Sequence, residues 1–445
     1  MAISTFDSPL YAPLFSDAEV AALLGDAAFV ARMVEVEAAL ARATAQAGLI
    51  PEAAGRAIEA VLEHALISPE DLGAGMASAG VPVPDLVAML RKLDGDAGRY
   101  LHWGATSQDI VDCAHLLQWR AVLEVFEQRL TQLLDSLQAA STRFDAVPMA
   151  GRTRSQIATP ISFGLRIAQW AQPLIHLADE LPAMRARLLR VQFGGASGAG
   201  SAVGMQAAHV SAALADALGL ADSACWHTDR SAQVALGGWL TSLTAALAKM
   251  AGDLILMGRS EIGEARAGSG GGSSTMPQKS NPVAAEAIVS LATVSSALQS
   301  GLHIAARPVE ERDGAAWAVE WMILPQLGTG AAAALRHAQG LVQSLEADVG
   351  RMAEQLAQGH GAVMAEAASF ALAAHMSRTE AGNLVKEALC EARAQNITLA
   401  KAVASDPRIA DLEEWAAVLD PVQAIAPAQA MSARIWAMRR NTSPK

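Results

Sequence analysis

The amino-acid sequence predicts an all-α protein built around long helices, and three observations support this fold class. Among 445 residues, 52% are apolar while only 4% are aromatic and 18% are charged. Such a composition favours closely packed helices over a β-sandwich or barrel. Apolar residues also recur at steps of three and four over long stretches, as they do on one face of a helix. Finally, the chain is longer than one compact core usually accommodates, so more than one domain is expected.

Residues 1–105 are predicted to form an N-terminal domain of short helices separated by turns. Apolar residues at helical spacing indicate one of these helices: Val30, Met33, Val36, Leu40 and Ala43. Gly48 and Pro51 should end this helix, because glycine and proline are common directly after a helical C-terminus.

Residues 106–345 are predicted to form a central domain of long helices, because two heptad-like apolar seams occur there. The seams consist of Leu123, Phe126, Leu130, Leu133 and Leu137, and of Leu240, Leu243, Leu247, Met250, Leu254 and Met257. A helix of ~30 residues spans ~45 Å and needs a bundle around it. The other helices of this bundle would come either from neighbouring subunits or from the same chain. Shorter helices divided by prolines are expected in a C-terminal domain at 346–445.

Charge and cysteine content narrow the range of functions. The net charge of −12 argues against nucleic acid or an anionic membrane surface as a partner. Three scattered cysteines indicate reduced thiols in a cytoplasmic protein, and residues 1–10 lack the features of a signal peptide. The apolar stretch 237–257 contains Lys249 and Asp253, which favours a buried bundle helix over a membrane span. The histidines form no metal-ligand pattern, so no metal site is expected.

The segment 272–282, Gly-Ser-Ser-Thr-Met-Pro-Gln-Lys-Ser-Asn-Pro, is the most informative about function, because many side chains that can bind a ligand or react occur close together in it. Its hydroxyl groups, the Lys279 ammonium and the Asn281 amide suit a ligand that bears carboxylates. A nucleotide-binding P-loop is disfavoured, because no Gly-Lys-Ser/Thr ending is present and a helical pattern precedes the segment. Taken alone, the pattern would also suit a flexible Ser/Gly linker.

This segment resembles the Gly-Ser-Ser-x-Met-Pro-x-Lys-x-Asn-Pro motif of the fumarase/aspartase superfamily. Three further segments resemble the same family in the same order, at 33–51, at 102–109 (His-Trp-Gly-Ala-Thr-Ser-Gln-Asp) and at 151–160 (Gly-Arg-Thr-Arg-Ser-Gln-Ile-Ala-Thr-Pro). The resemblance implies a three-domain helical fold whose long central helices form a multi-subunit bundle in a homotetramer. It also implies reversible β-elimination on a small polycarboxylate, without a cofactor.

The resemblance also implies roles for individual residues. Ser273 takes the place of the serine that exchanges a proton with carbon, and loop closure with Lys279 nearby would help it to do so. Lys279 and Asn281 take the carboxylate-holding places. Further pocket residues implied by the matching motifs are Thr106, Ser107, Gln156 and Glu286. His102 is expected either to orient the ligand or to be an ordinary core histidine.

Arg154 stands where the fumarate-releasing lyases of the family have a histidine that acts as a general acid. An amine or hydroxide leaving group needs that acid, whereas a carboxylate, with a pKa near ~4, reacts as an anion. Arg154 therefore favours the branch that lactonises carboxylated muconates, where it would offset substrate charge; a structural ion pair is the alternative role. Arg312 is either a second carboxylate clamp or the partner of Glu311 or Asp313.

Two other functions stay open at this stage. The segment Glu311-Arg312-Asp313 is also typical of adenylosuccinate lyases, which cleave a carbon–nitrogen bond and release fumarate. A structural or binding tetramer without activity is the third possibility. The presence of both Ser273 and Lys279 argues against it, because an abandoned site does not need both residues.

Overall fold

A computed structural model describes residues 4–93, 95–268, 270–272, 276 and 279–439, and they are predominantly helical, which confirms the predicted fold class. The helices are α1 Ala12–Phe15, α2 Ala18–Leu24, α3 Asp26–Gln46, α4 Glu52–Leu62, α5 Gly73–Ala79, α6 Val83–Leu93, α7 Ser107–Arg143, α8 Phe163–Leu188, α9 Ala207–Leu218, α10 Ser231–Met257, α11 Val283–Ala305, α12 Gly314–Gln343, α13 Val349–Ala357, α14 Ala365–Leu372, α15 Arg378–Gln395, α16 Leu399–Ser405, α17 Trp415–Val418, α18 Pro421–Ala424 and α19 Ala426–Ala437. The strands are β1 Pro148–Thr153, β2 Gln156–Ser162, β3 Ala265–Arg266, β4 Gly271–Gly272, β5 Ser280–Asn281 and β6 Glu346–Ala347.

The chain divides into two compact units, each assembled from three segments. Unit 1 contains residues 1–129, 177–245 and 290–336, and unit 2 contains residues 130–176, 246–289 and 337–445. The division falls inside α7, α8, α10, α11 and α12. The three domains expected at 1–105, 106–345 and 346–445 remain a prediction.

In unit 1, α3 packs against α4 and α9. The apolar positions that predicted α3 are all buried. Gly48 ends the helix with φ 71°, and the Leu49 N–H donates to the Thr44 carbonyl at 3.0 Å. This bond is part of a Schellman motif, which favours glycine because its backbone must adopt a left-handed conformation. The predicted helix and its end are confirmed.

The two predicted apolar seams lie on α7 and α10, and every residue named for them is buried. Two helices, α10 and α11, are long and apolar enough to cross a membrane by length and composition. Within their most apolar windows, 44% of the residues of α10 and 33% of those of α11 are buried in the chain. For α10, burial of the whole seam agrees with the predicted bundle helix.

In unit 2, a hairpin and a cluster of short helices form the main features. Strands β1 and β2 pair antiparallel, with Thr153 opposite Gln156 at the turn. Helices α13 to α17 surround a separate apolar core that contains Trp415 and Leu372. Side-chain caps stabilise the start of several of these helices, as where the Asp348 carboxylate accepts from the Arg351 N–H at the start of α13. The expected C-terminal region of short helices is confirmed.

Candidate active site

The first part of the candidate site lies at the N-terminus of α7, in unit 1. Ser107 is the first residue of this 37-residue helix, and Thr106 precedes it. The carboxylate of Asp109 accepts a hydrogen bond from the Thr106 N–H at 3.0 Å. This contact is one half of a capping box, and it fixes both hydroxyl-bearing residues at the positive end of the helix dipole. Such an end favours a carboxylate ligand.

Asp109 also holds a glycine-rich loop beside the helix start. Its two oxygens accept from the Gly194 N–H at 3.0 Å and from the Gly195 N–H at 2.9 Å, and the His227 Nε2 lies 2.8 Å from Oδ1. The Asp109 side chain is 1% exposed and that of His227 is 2% exposed. One buried carboxylate therefore connects the start of α7, the loop that begins at Gly194 and the segment before α10.

His227 is charged at neutral pH. Burial alone would lower its pKa, but the hydrogen bond and charge of Asp109, together with the neighbouring Cys225, raise that pKa to about 9. The resulting imidazolium offsets the Asp109 carboxylate, so the buried pair adds no net negative charge next to Thr106. Neither Asp109 nor His227 was among the site residues predicted from the sequence. Asp109 closes the Thr-Ser-Gln-Asp motif, but nothing local in the sequence indicates that His227 is its partner.

Arg312 joins the same part of the site. Its guanidinium donates to the Thr106 hydroxyl at 2.7 Å and to the Ala196 carbonyl at 2.9 Å. The alternative in which Arg312 pairs with Asp313 is wrong, because the Asp313 carboxylate instead accepts from backbone N–H groups at the start of α12, including that of Ala316 at 3.1 Å. No described carboxylate forms an ion pair with Arg312, and its guanidinium places a positive charge beside the Thr106 hydroxyl.

His102 faces a carboxylate of the protein itself. Its Nδ1 lies 2.7 Å from Oε1 of Glu37, whose side chain is completely buried. Burial opposes protonation, but the charge and hydrogen bond of Glu37 raise the His102 pKa. His102 also has a left-handed backbone with φ 63°, an uncommon conformation for a residue with a side chain and a form of strain found at functional sites. Glu37 thus fixes the ring through Nδ1, and no described residue hydrogen-bonds Nε2.

A buried ionic cluster lies further along α7. Arg230 forms paired hydrogen bonds to Asp112, at 2.8 and 3.1 Å, and to Glu320, at 2.8 and 2.6 Å. Trp317 donates its indole N–H to Asp112 at 3.0 Å. Burial opposes ionisation of Asp112, but the Arg230 charge lowers its pKa. The cluster ties the first turns of α10 and α12 to α7, and so supports the segments that carry the site.

In unit 2, Arg154 and Gln156 lie at the turn of the β1–β2 hairpin, and both are exposed. Arg154 and Ser155 have φ values of 48° and 66°. Arg154 makes no hydrogen bond or ion pair within its own chain to any described residue. Its side chain is therefore available for a ligand or for a neighbouring subunit, and both roles expected from the sequence remain predictions.

The base of this hairpin is fixed by an ion pair. Arg152 donates to both oxygens of the fully buried Glu264, at 2.8 and 2.9 Å. Glu264 directly precedes β3, and its backbone carbonyl accepts a hydrogen bond from the backbone N–H of Asp348 at 3.0 Å. A two-point contact of this kind fixes orientation as well as distance. The contact anchors the chain just before the glycine-rich segment.

The glycine-rich segment contains the remaining predicted residues, also in unit 2. Ser273, the predicted proton donor, lies outside the described residues. Lys279 is exposed and directly precedes β5, which contains Asn281 and pairs with β4. A side chain at Gly271 would place its Cβ 2.6 Å from Cγ2 of Val283, the first residue of α11, so the close approach of β4 to this helix favours glycine. Glu286 is exposed in the first turn of α11.

The structure thus places the predicted residues in two groups. Thr106, Ser107 and Arg312 lie together in unit 1, with His102 just before them in the chain. Unit 2 contains the others: Arg154, Gln156, Lys279, Asn281 and Glu286. Among the described residues, no group of three or more histidine, cysteine, aspartate or glutamate side chains is arranged to hold a metal ion.

Comparison with known proteins defines the class. Residues 18–294 match the family described as lyase, and residues 361–435 match the adenylosuccinate lyase C-terminus. The chain therefore belongs to the lyase family of the fumarase/aspartase superfamily. This confirms the resemblance to the fumarase/aspartase superfamily that the sequence motifs indicated.

Within this superfamily, the chain is similar over nearly its whole length to particular enzymes. It is 38% identical to the 3-carboxy-cis,cis-muconate cycloisomerase of Pseudomonas aeruginosa, over 96% of each chain. The enzyme of that name from Bradyrhizobium diazoefficiens is 35% identical, with 97% of this chain and 98% of the relative covered. The crystal structure of the 3-carboxy-cis,cis-muconate lactonizing enzyme from Pseudomonas putida superimposes with a TM-score of 0.90 at 34% identity, covering 97% and 99% of the two chains.

Proposed function

We propose that this enzyme is a cycloisomerase that converts 3-carboxy-cis,cis-muconate into a carboxymuconolactone, a step in the catabolism of protocatechuate. The observation that carries the proposal is the similarity to cycloisomerases of this name along almost the entire chain. A substrate with three carboxylates also matches the chemistry of the site. Arg312 and the N-terminus of α7 offer positive charge in unit 1, while Arg154 and Lys279 offer it in unit 2.

Arg154 supports addition of a carboxylate over elimination of a basic group. The leaving group of an amine or alcohol lyase needs a proton, and a guanidinium group, which stays protonated in proteins, does not supply one near neutral pH. The attacking carboxylate of a muconate is already an anion, with a pKa near ~4, and requires no acid or base at oxygen. An arginine at this position can hold substrate charge without taking part in proton transfer.

The proposed reaction forms one carbon–oxygen bond and one carbon–hydrogen bond. A substrate carboxylate oxygen bonds to a carbon of a double bond, the π electrons move to the adjacent carbon, and Ser273 delivers its proton there. The serine oxygen then regains a proton from solvent. Lys279, Asn281, Thr106, Ser107 and Arg312 hold the carboxylates, with Gln156, His102 and Glu286 in the surrounding pocket. Holding the carboxylate next to the double bond supplies much of the rate enhancement.

The test is turnover of 3-carboxy-cis,cis-muconate, followed by loss of its ultraviolet absorbance, in the wild type and in Ser273→Ala. We expect the variant to lose at least ~100-fold in kcat, the lower range for a positioned proton donor, with KM little changed. Ser274→Ala is the matched control and should retain activity. An unchanged kcat in Ser273→Ala would remove this serine from the chemical step.

Adenylosuccinate cleavage is the second candidate, because residues 361–435 match the C-terminal region of adenylosuccinate lyases. Incubation with adenylosuccinate should release no fumarate if the cycloisomerase proposal is right. Efficient release of fumarate, together with no turnover of the muconate, would establish the second candidate instead.

We propose that the enzyme is a cytoplasmic homotetramer. Helix α11 supports the oligomer, since its apolar residues Val294 and Ile304 are 44% and 65% exposed in the single chain. Packing of long helices from several copies would cover such a face. Light scattering coupled to gel filtration should give a mass near four chains; a monomer at micromolar concentration would contradict this proposal.

A further inference from the structure

A buried carboxylate lies directly behind His102. Glu37, on α3, is completely shielded from solvent, and its Oε2 has no hydrogen-bond partner among the described residues. A buried charge costs free energy unless it is paired, and an unpartnered buried oxygen adds to that cost. His102, whose Nδ1 lies 2.7 Å from Oε1, is the only described residue that hydrogen-bonds the Glu37 side chain. The role of Glu37 therefore depends on what it does to His102.

The hydrogen bond from Nδ1 leaves Nε2 of His102 as the atom that can meet a ligand. An ionised carboxylate only accepts hydrogen bonds, so Nδ1 carries a hydrogen. The side chain is 18% exposed, and Nε2 is not among the buried atoms that lack a partner, so this nitrogen is accessible. In the imidazolium Nε2 is a charged donor, whereas in the neutral ring it is an acceptor that disfavours a carboxylate. Protonation of the ring thus decides whether it can bind an anionic group.

Charged groups from three helices act on the His102 ring. Burial is the largest effect and opposes protonation, but the charge and hydrogen bond of Glu37 favour it. Asp109, on α7, also favours the imidazolium, and Arg91, on α6, opposes it. The net result is a raised His102 pKa, to which Glu37 contributes more than any other charged group. Without the charge of Glu37, we expect burial to return the ring to its neutral form near neutral pH.

The segment that begins at His102 packs against the same loop as Arg312. The Gly104 carbonyl lies so close to this loop that a Cβ built on Gly195 would be 3.0 Å from it. Arg312 donates to the carbonyl of the residue after Gly195 at 2.9 Å, and to the Thr106 hydroxyl at 2.7 Å. All of these residues belong to unit 1. His102 and Arg312 therefore bring two cationic groups to the start of α7.

We propose that Glu37 is a positioning residue of the active site, which holds the His102 ring so that its Nε2–H donates to a substrate carboxylate near the start of α7. The inference rests on the proposed function, in which a substrate with three carboxylates needs positive charge in unit 1. Glu37 does not touch the substrate and acts only through the ring. Because the donor exists only while His102 is protonated, this contact is present at low pH and is lost as the pH rises through the pKa of His102 in the folded protein.

The first experiment measures the charge of the ring without turnover. Diethyl pyrocarbonate acylates neutral imidazole, and mass spectrometry of peptides gives its rate at His102 between pH 6 and pH 8. Glu37→Gln removes the charge but keeps an oxygen that can accept from Nδ1–H. At pH 6.5 His102 should react roughly tenfold faster in this variant than in the wild type, because loss of a neighbouring opposite charge lowers its pKa. The matched control is Glu35→Gln on the same helix, at a carboxylate that pairs with Arg32, and it should leave the rate unchanged.

The second experiment tests the contact with substrate through the pH dependence of kcat/KM for 3-carboxy-cis,cis-muconate, which reports ionisation of the free enzyme. At pH 7.5 Glu37→Gln should lower kcat/KM roughly tenfold, mainly through KM, since a charged hydrogen bond is lost. The loss should shrink toward pH 6, where the ring of the variant is protonated again. A merely structural role of Glu37 would give the same loss at every pH. In His102→Asn, which has no titrating ring, adding Glu37→Gln should not change the pH profile further.

A third experiment measures binding without reaction. Tricarballylate, an unreactive tricarboxylate, should protect His102 of the wild type from acylation at pH 7 and should protect it less in Glu37→Gln. An unchanged acylation rate at His102 in Glu37→Gln would overturn the control of the ring by Glu37. The same loss of kcat/KM at every pH, or no protection by tricarballylate, would overturn the contact between His102 and substrate. If the wild type does not turn over the muconate but tricarballylate still protects His102, only the proposed function is contradicted.

Discussion

Raising the pH from 6.5 to 9.5 should remove the stabilisation that His227 and Asp109 provide to unit 1. The ordinary histidine pKa of 6.5 is raised to about 9 in the folded protein. Because the folded pKa is the higher one, the contribution is complete below pH 6.5 and is lost as the pH rises through 9. A difference of ~2.5 units at ~1.36 kcal/mol each corresponds to about 3 kcal/mol.

The assay compares thermal unfolding of the wild type and His227→Gln at several pH values. For a chain of this length, about 3 kcal/mol corresponds to a Tm difference of about 3 °C if unfolding is cooperative. We expect the variant to melt lower than the wild type at pH 6.5 and the two Tm curves to converge by pH 9.5. Other titratable groups are present in both proteins, so their effects on Tm cancel in the difference between the wild type and the variant.

His375→Gln serves as the control. His375 lies 3.0 Å from Glu413, but its side chain is 37% exposed, and exposed ion pairs contribute little to stability. Its Tm difference from the wild type should therefore stay small at every pH. A constant Tm difference between the wild type and His227→Gln from pH 6.5 to 9.5 would refute the reasoning, because it would mean that His227 is not protonated in the folded protein.

Three further perturbations test other features. Arg230→Ala leaves the buried Asp112 and Glu320 side chains without a cationic partner, so urea unfolding should show a loss of about 3–5 kcal/mol, and a loss under 1 kcal/mol would contradict the buried cluster. Gly164→Ala should lower stability by about 1–3 kcal/mol, because its Cβ would lie 2.6 Å from backbone atoms; Gly340→Ala, where nothing lies within 4 Å, should not. Arg312→Ala should lower kcat/KM for 3-carboxy-cis,cis-muconate by about 10–100-fold with an unchanged Tm. Unchanged kinetics would remove Arg312 from the site.

The local features of this protein follow directly from the sequence. The spacing of apolar residues predicted α3, α7 and α10, because only a helix places steps of three and four on one face. Gly48 marked the end of α3, because the turn there needs a positive φ. The motifs at 102–109, 151–160 and 272–282 identified the family, since long runs of particular residues rarely coincide by chance.

The tertiary structure alone decided which distant residues are partners. Asp109 and His227 are separated by 118 positions, and Thr106 and Arg312 by 206. The sequence treated His227 as one histidine among several and left Arg312 between two roles. Side-chain pairing depends on where the helices bring their ends in space, and a single sequence encodes this only through the whole packed core. Charge states follow the same rule, because the pKa of His227 is set by burial and by a carboxylate from a distant part of the chain.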